Sequence, residues 1–353
     1  MLSIPRFYDP KKVGEIYPIP YQDRFTQAIE WANNFGIGPS ASDAINVELL
    51  VIDAQNSFCL KPPYGELYVG GRSGEGAIED NDRLCRFIYG NLDKITGITA
   101  SLDTHFALQI FYPTFWINDA GEHPTANTTI SKSDVDKGVW KVDPAMVALI
   151  RPRIYDKKTN YYTILENYTK HYVNELTLGG RYELYLWPFH TMLGSVGHAL
   201  VSAVGEAMFF HGVARKHQTD FMIKGGSALT ENYSVLGPEV LMAQDGKTSV
   251  GQRNTAFFKK LVEADMMIIA GQAKSHCVRF TIHDLLNQIL ANDPKLAKKV
   301  RLLEDCTSSV VIPGVVDFTQ QGDDAFEEFR RAGMHVVKST DPIEDWPDSP
   351  FKK

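Results

Sequence analysis

Two kinds of hydrophobic pattern alternate along this chain. Short apolar runs rich in β-branched residues predict buried strands over residues 45–52, 95–102, 182–187, 220–223, 264–271 and 300–303, with a possible edge strand at 334–337. Apolar residues at helical spacing lie between them. Phe25, Ala28, Ile29 and Ala32 mark a helix within 23–35, and Ile78, Leu84, Phe87, Ile88 and Leu92 mark another. Ile164, Leu165, Tyr168, Tyr172 and Leu176 form a third, which Gly179-Gly180 is expected to stop. Further helices are expected over 198–214, around Phe257 and Phe258, after Cys277, and over 318–331. Strands alternating with helices in this way predict an α/β fold with a mostly parallel sheet. The expected organisation is an N-terminal arm (1–45) and a single domain (46–345) carrying an aromatic-rich insertion at about 106–158.

Composition narrows the function. A chain of 353 residues with 44% hydrophobic residues can bury a large core, and its formal net charge of −7 argues against nucleic acid or an anionic membrane as partner. The amino-terminal residues lack the apolar core of a secretory signal, and no run approaches the ~20 apolar residues of a membrane span. Four widely spaced cysteines look unlike a disulfide framework, so a cytoplasmic protein with reduced thiols is expected.

The chemistry collects where the predicted strands end. In open α/β sheets the site lies outside the carboxyl ends of the strands. There the chain places Asp53, then Asp103-Thr104-His105, then His190, then Lys224, and finally Cys277 at the start of a helix. Each has an ordinary reading as a capping carboxylate, a loop charge, a satisfied histidine or an inert buried thiol. Their common edge favours a joint one. Asp53, Lys224 and Cys277 suit a nucleophilic triad, and Cys277 at a helix N-terminus is expected to be a stabilised thiolate. Asp103, His105 and His190 suit zinc or another first-row divalent ion. Asp103 and His105, two apart on an extended segment, share a face. His276 is a poor candidate base, because neighbours in a helix point about 100° apart.

Asp53-Ala54-Gln55-Asn56-Ser57-Phe58, Ser101 to His105, Trp187 to His190, Lys224-Gly225 and Gly271 to Val278 resemble the ordered motifs of the isochorismatase-like cysteine hydrolases, in particular the nicotinamidase branch. The resemblance spans about residues 46–310. It implies a three-layer fold with a six-stranded, mostly parallel sheet of order 3-2-1-4-5-6. It also implies catalytic Asp53, Lys224 and Cys277, a divalent metal, most simply zinc, on Asp103, His105 and His190, and an oxyanion hole from the N–H groups of Cys277 and a residue near Ala273, where the family carries a cis peptide. Phe58 and Gln55 would contact the substrate. Ser57 stands where the family has an acidic residue, and Thr191 where it often has cysteine. The implied activity is hydrolysis of a small carboxamide through a thioester, with nicotinamide as the type substrate. Alternatives are another small amide, ureido or carbamoyl compound, with the aromatic insertion as a lid, or a silent metal-binding scaffold. A homo-oligomer is expected.

Overall fold

The run around Leu49 and Leu50 becomes the centre of a parallel sheet. The computed structural model describes residues 1–151, 157–178 and 182–352. Six strands make up the sheet: β1 (Val47–Ile52), β2 (Gly97–Asp103), β3 (Asp220–Lys224), β4 (Met266–Gly271), β5 (Val300–Leu303) and β6 (His335–Val337). Their spatial order is β3-β2-β1-β4-β5-β6, and every pairing is parallel. All six residues of β1 and of β4 are buried, as expected of largely apolar strands covered on both faces, and the one charge among them, Glu48, is paired with Lys260 at 2.9 Å.

The order 3-2-1-4-5-6 holds, but one expected member is wrong. The run 182–187 does not enter the sheet. Only Leu184–Tyr185 is a strand, antiparallel to Thr129–Ile130. Its aromatic rings pack elsewhere, Tyr185 and Trp187 4.6 Å apart and both Tyr182 and Trp187 against Tyr233, and Pro188 has no N–H to extend a ladder. Asp220–Lys224 is therefore the third strand, and the run at 334–337 supplies the sixth.

Helices α1 (Tyr21–Phe35), α2 (Gly76–Gly90), α3 (Tyr161–Leu178), α4 (Ser202–Arg215), α5 (Thr255–Glu263), α6 (Arg279–Asn292) and α7 (Thr319–Arg331) complete the layers. Gly36 ends α1 in the left-handed conformation, with φ 64°. The glycine pair expected to end α3 lies outside the described residues. The arm is laid on α4: Arg24 pairs with Glu206 at 2.6 Å, and the Tyr17 hydroxyl donates to the same carboxylate at 2.7 Å. The insertion's Phe111, Tyr112, Phe115 and Trp116 are fully buried, in one apolar cluster with Leu50 and Ile52. They are core side chains and not an open lid. Among the described residues no helix is long and apolar enough to cross a membrane.

The strand order reverses between β1 and β4, which opens a crevice beyond their carboxyl ends. Gly271 fits there because nothing else would. Its φ is 117°, and an added Cβ would lie 2.0 Å from the Ile52 carbonyl oxygen.

Candidate active site

Strand register brings the first pair together, since Asp103 and Lys224 are direct partners across β2 and β3. The Lys224 ammonium lies 2.9 Å from Asp103 Oδ1 and 3.0 Å from Asp53 Oδ2, and it also donates to the Asn232 carbonyl at 3.0 Å. Cys277 Sγ is 3.5 Å from the same nitrogen. Burial opposes the charge on Lys224, but Asp103 and Asp53 outweigh it and hold the ammonium well above its ordinary range.

Asp53 is fully buried just past β1 and has φ 46°, uncommon for a residue with a side chain. Its N–H donates to Ser101 Oγ at 3.1 Å, and the Ser101 hydroxyl donates back to Asp53 Oδ1 at 2.6 Å. That reciprocal pair fixes the carboxylate and leaves Oδ2 for Lys224 and the thiol. Burial raises the Asp53 carboxyl above its ordinary range, with Lys224 opposing. Ser101 precedes Asp103 by two on the same strand, so strand alternation alone would have placed it on this face.

Cys277 corrects the expected thiolate. It sits in a single wide turn, Lys274–Val278, that leads into α6, and it is buried. Burial pushes its thiol well up. Lys224 opposes this, whereas the charge of Asp53 and a hydrogen bond to it add to the rise. The Cys277 side chain is thus a thiol held between a carboxyl and an ammonium.

The candidate metal ligands Asp103, His105 and His190 are all buried, with ligand atoms within 4.8 Å of one another. His190 does not arrive on a strand end. The loop after Pro188 is drawn in by a parallel bridge between His105 and Met192, and the His105 N–H donates to the Thr191 carbonyl at 3.2 Å. His105 Nδ1 faces the Gly225 carbonyl at 3.3 Å, and His190 Nδ1 faces that of Pro188 at 2.8 Å. A carbonyl only accepts, so both Nδ1 atoms carry hydrogen and both Nε2 atoms are the ones turned to Asp103. Burial keeps His105 neutral by lowering its pKa. Its Nε2 stands 2.8 Å from Asp103 Oδ2 with no hydrogen-bond partner, and His190 Nε2 lies 3.5 Å from the same oxygen. One carboxylate and two imidazole Nε2 atoms gathered in a buried space are a donor set that fits a divalent metal. Gly225, with φ 85°, lets the chain pass, because a Cβ there would lie 2.8 Å from the His105 ring.

Phe58, Leu67, Trp187, His190, Glu231, Tyr233, Ala273, His276 and Cys277 line one narrow cavity. About 30 Å³ of it is open to the centre of a water molecule, room for roughly two waters. The Phe58 ring is 5.5 Å from that of His190. The peptide between Gln272 and Ala273 is cis, as the resemblance implies. Gln55, expected on the substrate, lies outside this lining. Its amide donates to the carbonyls of Asp103 (2.8 Å) and His198 (2.9 Å) and accepts the Asp103 N–H at 2.7 Å, so it holds Asp103 in place. A larger hollow of about 940 Å³ between α4 and β3 contains none of the triad or ligand residues.

Three groups were not anticipated. Gln272 is clamped by Asp80, to which its amide donates at 2.9 Å, and by the Ser308 N–H at 3.2 Å. Ser57 donates to Glu66 and accepts the Thr191 N–H at 2.9 Å, so an acid meets position 57 from nine residues away. Glu231, in the loop after β3, reaches the cavity wall. Burial, with Asp103 adding to it, pushes its carboxyl up to about 8.

No protein-family model matches the chain, and no curated protein matches it. Solved structures do. In fold, the chain is similar to nicotinamidases. A nicotinamidase/pyrazinamidase from Acinetobacter baumanii has 18% identity over 85% of this chain and 99% of its own, with a TM-score of 0.47. The yeast nicotinamidase Pnc1p has 18% identity over 82% and 99%, with a TM-score of 0.48. A Pyrococcus horikoshii pyrazinamidase, in complex with zinc, has 17% identity over 83% and 99%, with a TM-score of 0.43.

Proposed function

We propose that this chain is a metal-containing cysteine amidohydrolase that cleaves the C–N bond of a small carboxamide through a thioester, with nicotinamide as the first substrate to try. The observation that carries this reading is the Lys224 ammonium, 2.9–3.0 Å from two buried carboxylates and 3.5 Å from the Cys277 sulfur. Buried charge is costly, and a purely structural site has no use for a thiol in contact with it.

In this mechanism Asp53 takes the Cys277 proton as the sulfur attacks the amide carbonyl carbon. The raised carboxyl of Asp53 suits it to accept the proton and then to hand it on. The oxyanion takes hydrogen bonds from the N–H groups of Ala273 and Cys277, each worth ~3 kcal/mol of barrier. Asp53 returns the proton to the departing nitrogen and ammonia leaves. Asp53 next deprotonates a water, which attacks the thioester carbonyl, and the thiolate released takes the proton back. Lys224 stays charged throughout and steadies whichever of Asp53 and Cys277 is anionic. Asp103, His105 and His190 would hold the metal, most simply zinc, which supplies a Lewis-acidic anchor for a water or a substrate lone pair. Phe58 and Trp187 offer flat apolar walls to a planar substrate.

Ammonia release from a panel of small carboxamides tests the reading. Wild-type protein should release ammonia from at least one, and Cys277→Ala should lose at least about 10³-fold of that rate. Equal rates in the two proteins would remove the nucleophile and the mechanism with it.

A further inference from the structure

The loop that leaves β4 is anchored on either side of one peptide. The Gln272 N–H donates to the Ile52 carbonyl at 2.8 Å, and the Lys274 N–H donates to the Ser308 carbonyl at 2.8 Å. Between these two spent donors, the N–H of Ala273 finds no acceptor among the described residues. Ala273 is buried and lines the same cavity as Cys277. A buried N–H without an acceptor is rare, because it costs about as much as a lost hydrogen bond. Here it is a donor kept free beside the nucleophile, which is what a developing oxyanion needs.

The groups that hold this peptide come from another layer of the fold. Gln272 is fully buried. Its Nε2 donates to Asp80 Oδ2 at 2.9 Å, and its Oε1 accepts the Ser308 N–H at 3.2 Å. Ser308 thus grips both the side chain before Ala273 and the main chain after it. Asp80 is buried on α2, and its other oxygen accepts from Arg83 at 3.0 Å, one turn further along the helix. Arg83 also donates to the Asp305 carbonyl, which ties the helix to the segment that carries Ser308. The packing there is tight, since a Cβ on Gly76, the first residue of α2, would lie 2.6 Å from Ser308 Oγ. The charges that weigh most on the Cys277 thiol are those of Lys224, Asp53 and Asp103, so this second network can be altered without removing any of them.

We propose that Asp80 is a positioning residue: through the Gln272 amide it fixes the segment whose Ala273 N–H receives the oxyanion, while itself touching neither substrate nor Cys277. This rests on the amidohydrolase reading and adds to it a carboxylate of α2. Loss of the clamp shifts a donor that matters only in the transition state, so turnover suffers and the thiol does not. A clamp that served stability alone would leave turnover untouched in the folded protein, or would damage turnover and thiol together.

Two measurements on the same proteins separate these cases: kcat and KM for ammonia release from a carboxamide that the wild type hydrolyses, and the rate at which iodoacetamide labels Cys277 at pH 9. Alkylation occurs at a saturated carbon and develops no oxyanion, so it reads the thiol alone. Asp80→Ala should lower kcat by about tenfold or more, with KM within about threefold and labelling within about twofold of wild type. Asp80→Asn keeps an oxygen acceptor for the Gln272 amide and should stay within about threefold of wild-type kcat. Should Asp80→Ala fail to fold, Gln272→Met, which removes the same contacts at similar length, takes its place with the same expected result. Wild-type kcat in the Ala or Met variant overturns the proposal. So does labelling that falls in step with kcat, and so does a loss in Asp80→Asn equal to that in Asp80→Ala. Ammonia release that persists in Cys277→Ala, or none from any amide with the wild type, overturns the amidohydrolase reading itself, and this proposal with it.

Discussion

The Lys224 ammonium and the Cys277 sulfur meet at 3.5 Å across 53 residues of sequence, and they do so inside the protein, where neither has bulk water to fall back on. Lys224 also separates Asp53 from Asp103. Lys224→Met should therefore act twice. It removes the charge that steadies the reacting thiol, and it leaves two buried carboxylates uncompensated, which costs about 3–5 kcal/mol. Cys277→Ala should abolish ammonia release with a much smaller change in stability. Urea unfolding beside activity separates the two variants.

The same contact sets the reactivity of the resting thiol. Burial outweighs the ammonium and pushes Cys277 well above the usual thiol range. Iodoacetamide labelling of Cys277 in substrate-free protein should be slower at pH 7 than that of an ordinary thiol, and should still be rising beyond pH 9. A peptide-resolved mass-spectrometric time course at several pH values reads this directly. A plateau at neutral pH would mean a standing thiolate. Lys224→Met should slow labelling further, since the ammonium is the group opposing burial.

Removing a ligand should be as telling as removing the nucleophile. Purified protein should hold one divalent ion per chain, and His105→Ala or His190→Ala should weaken that binding by at least about tenfold. Elemental analysis after dialysis gives the stoichiometry. Chelation should lower ammonia release, and added metal should restore it in the wild type but not in the histidine variants. Full metal content in either variant would place the ion elsewhere.

Much of the site was legible because a strand end is a local signal. Asp53 follows β1 directly, Asp103 ends β2 and Cys277 lies in the turn that leaves β4, and a parallel sheet collects such ends at one edge. His190 carried the same signal misleadingly: its preceding run, Tyr182 to Trp187, has strand-like composition, but Tyr182 and Trp187 pack their rings against Tyr233. What supports the site was hidden for a different reason. Asp80 and Gln272 are 192 residues apart, and Gln55 and Asp103 are 48 apart. Each pair exists only once separate elements have docked, and no periodicity marks it beforehand. Glu231 lies in an irregular loop, so its place on the cavity wall depends on the Tyr172 and Asn232 contacts.

Acid stability offers a last test, away from catalysis. His211, buried in α4 with Nε2–H donating to the Ile95 carbonyl at 2.9 Å, is lowered by burial to about 4, and burial likewise lowers His276 to about 4. Both folded values lie below the unfolded value of about 6.5. Between pH 6.5 and 4 the unfolded chain therefore binds more protons, so the stability these neutral rings contribute is complete above pH 6.5 and drains away as the pH falls through the folded values. For each ring the loss approaches about 3 kcal/mol at the acid end. Glu231 and Asp80 work the other way, because burial raises their carboxyls and acid favours the folded form. The net slope of the wild type is a balance, and the informative quantity is a difference. His211→Gln keeps an N–H donor for Ile95 without a titrating ring. Against the wild type it should be less stable at pH 7 by about 1 kcal/mol, and should gain on it steadily as the pH drops from 6.5 towards 4. Urea midpoints at half-unit pH steps measure the crossing, and parallel curves for the two proteins would show that His211 titrates normally.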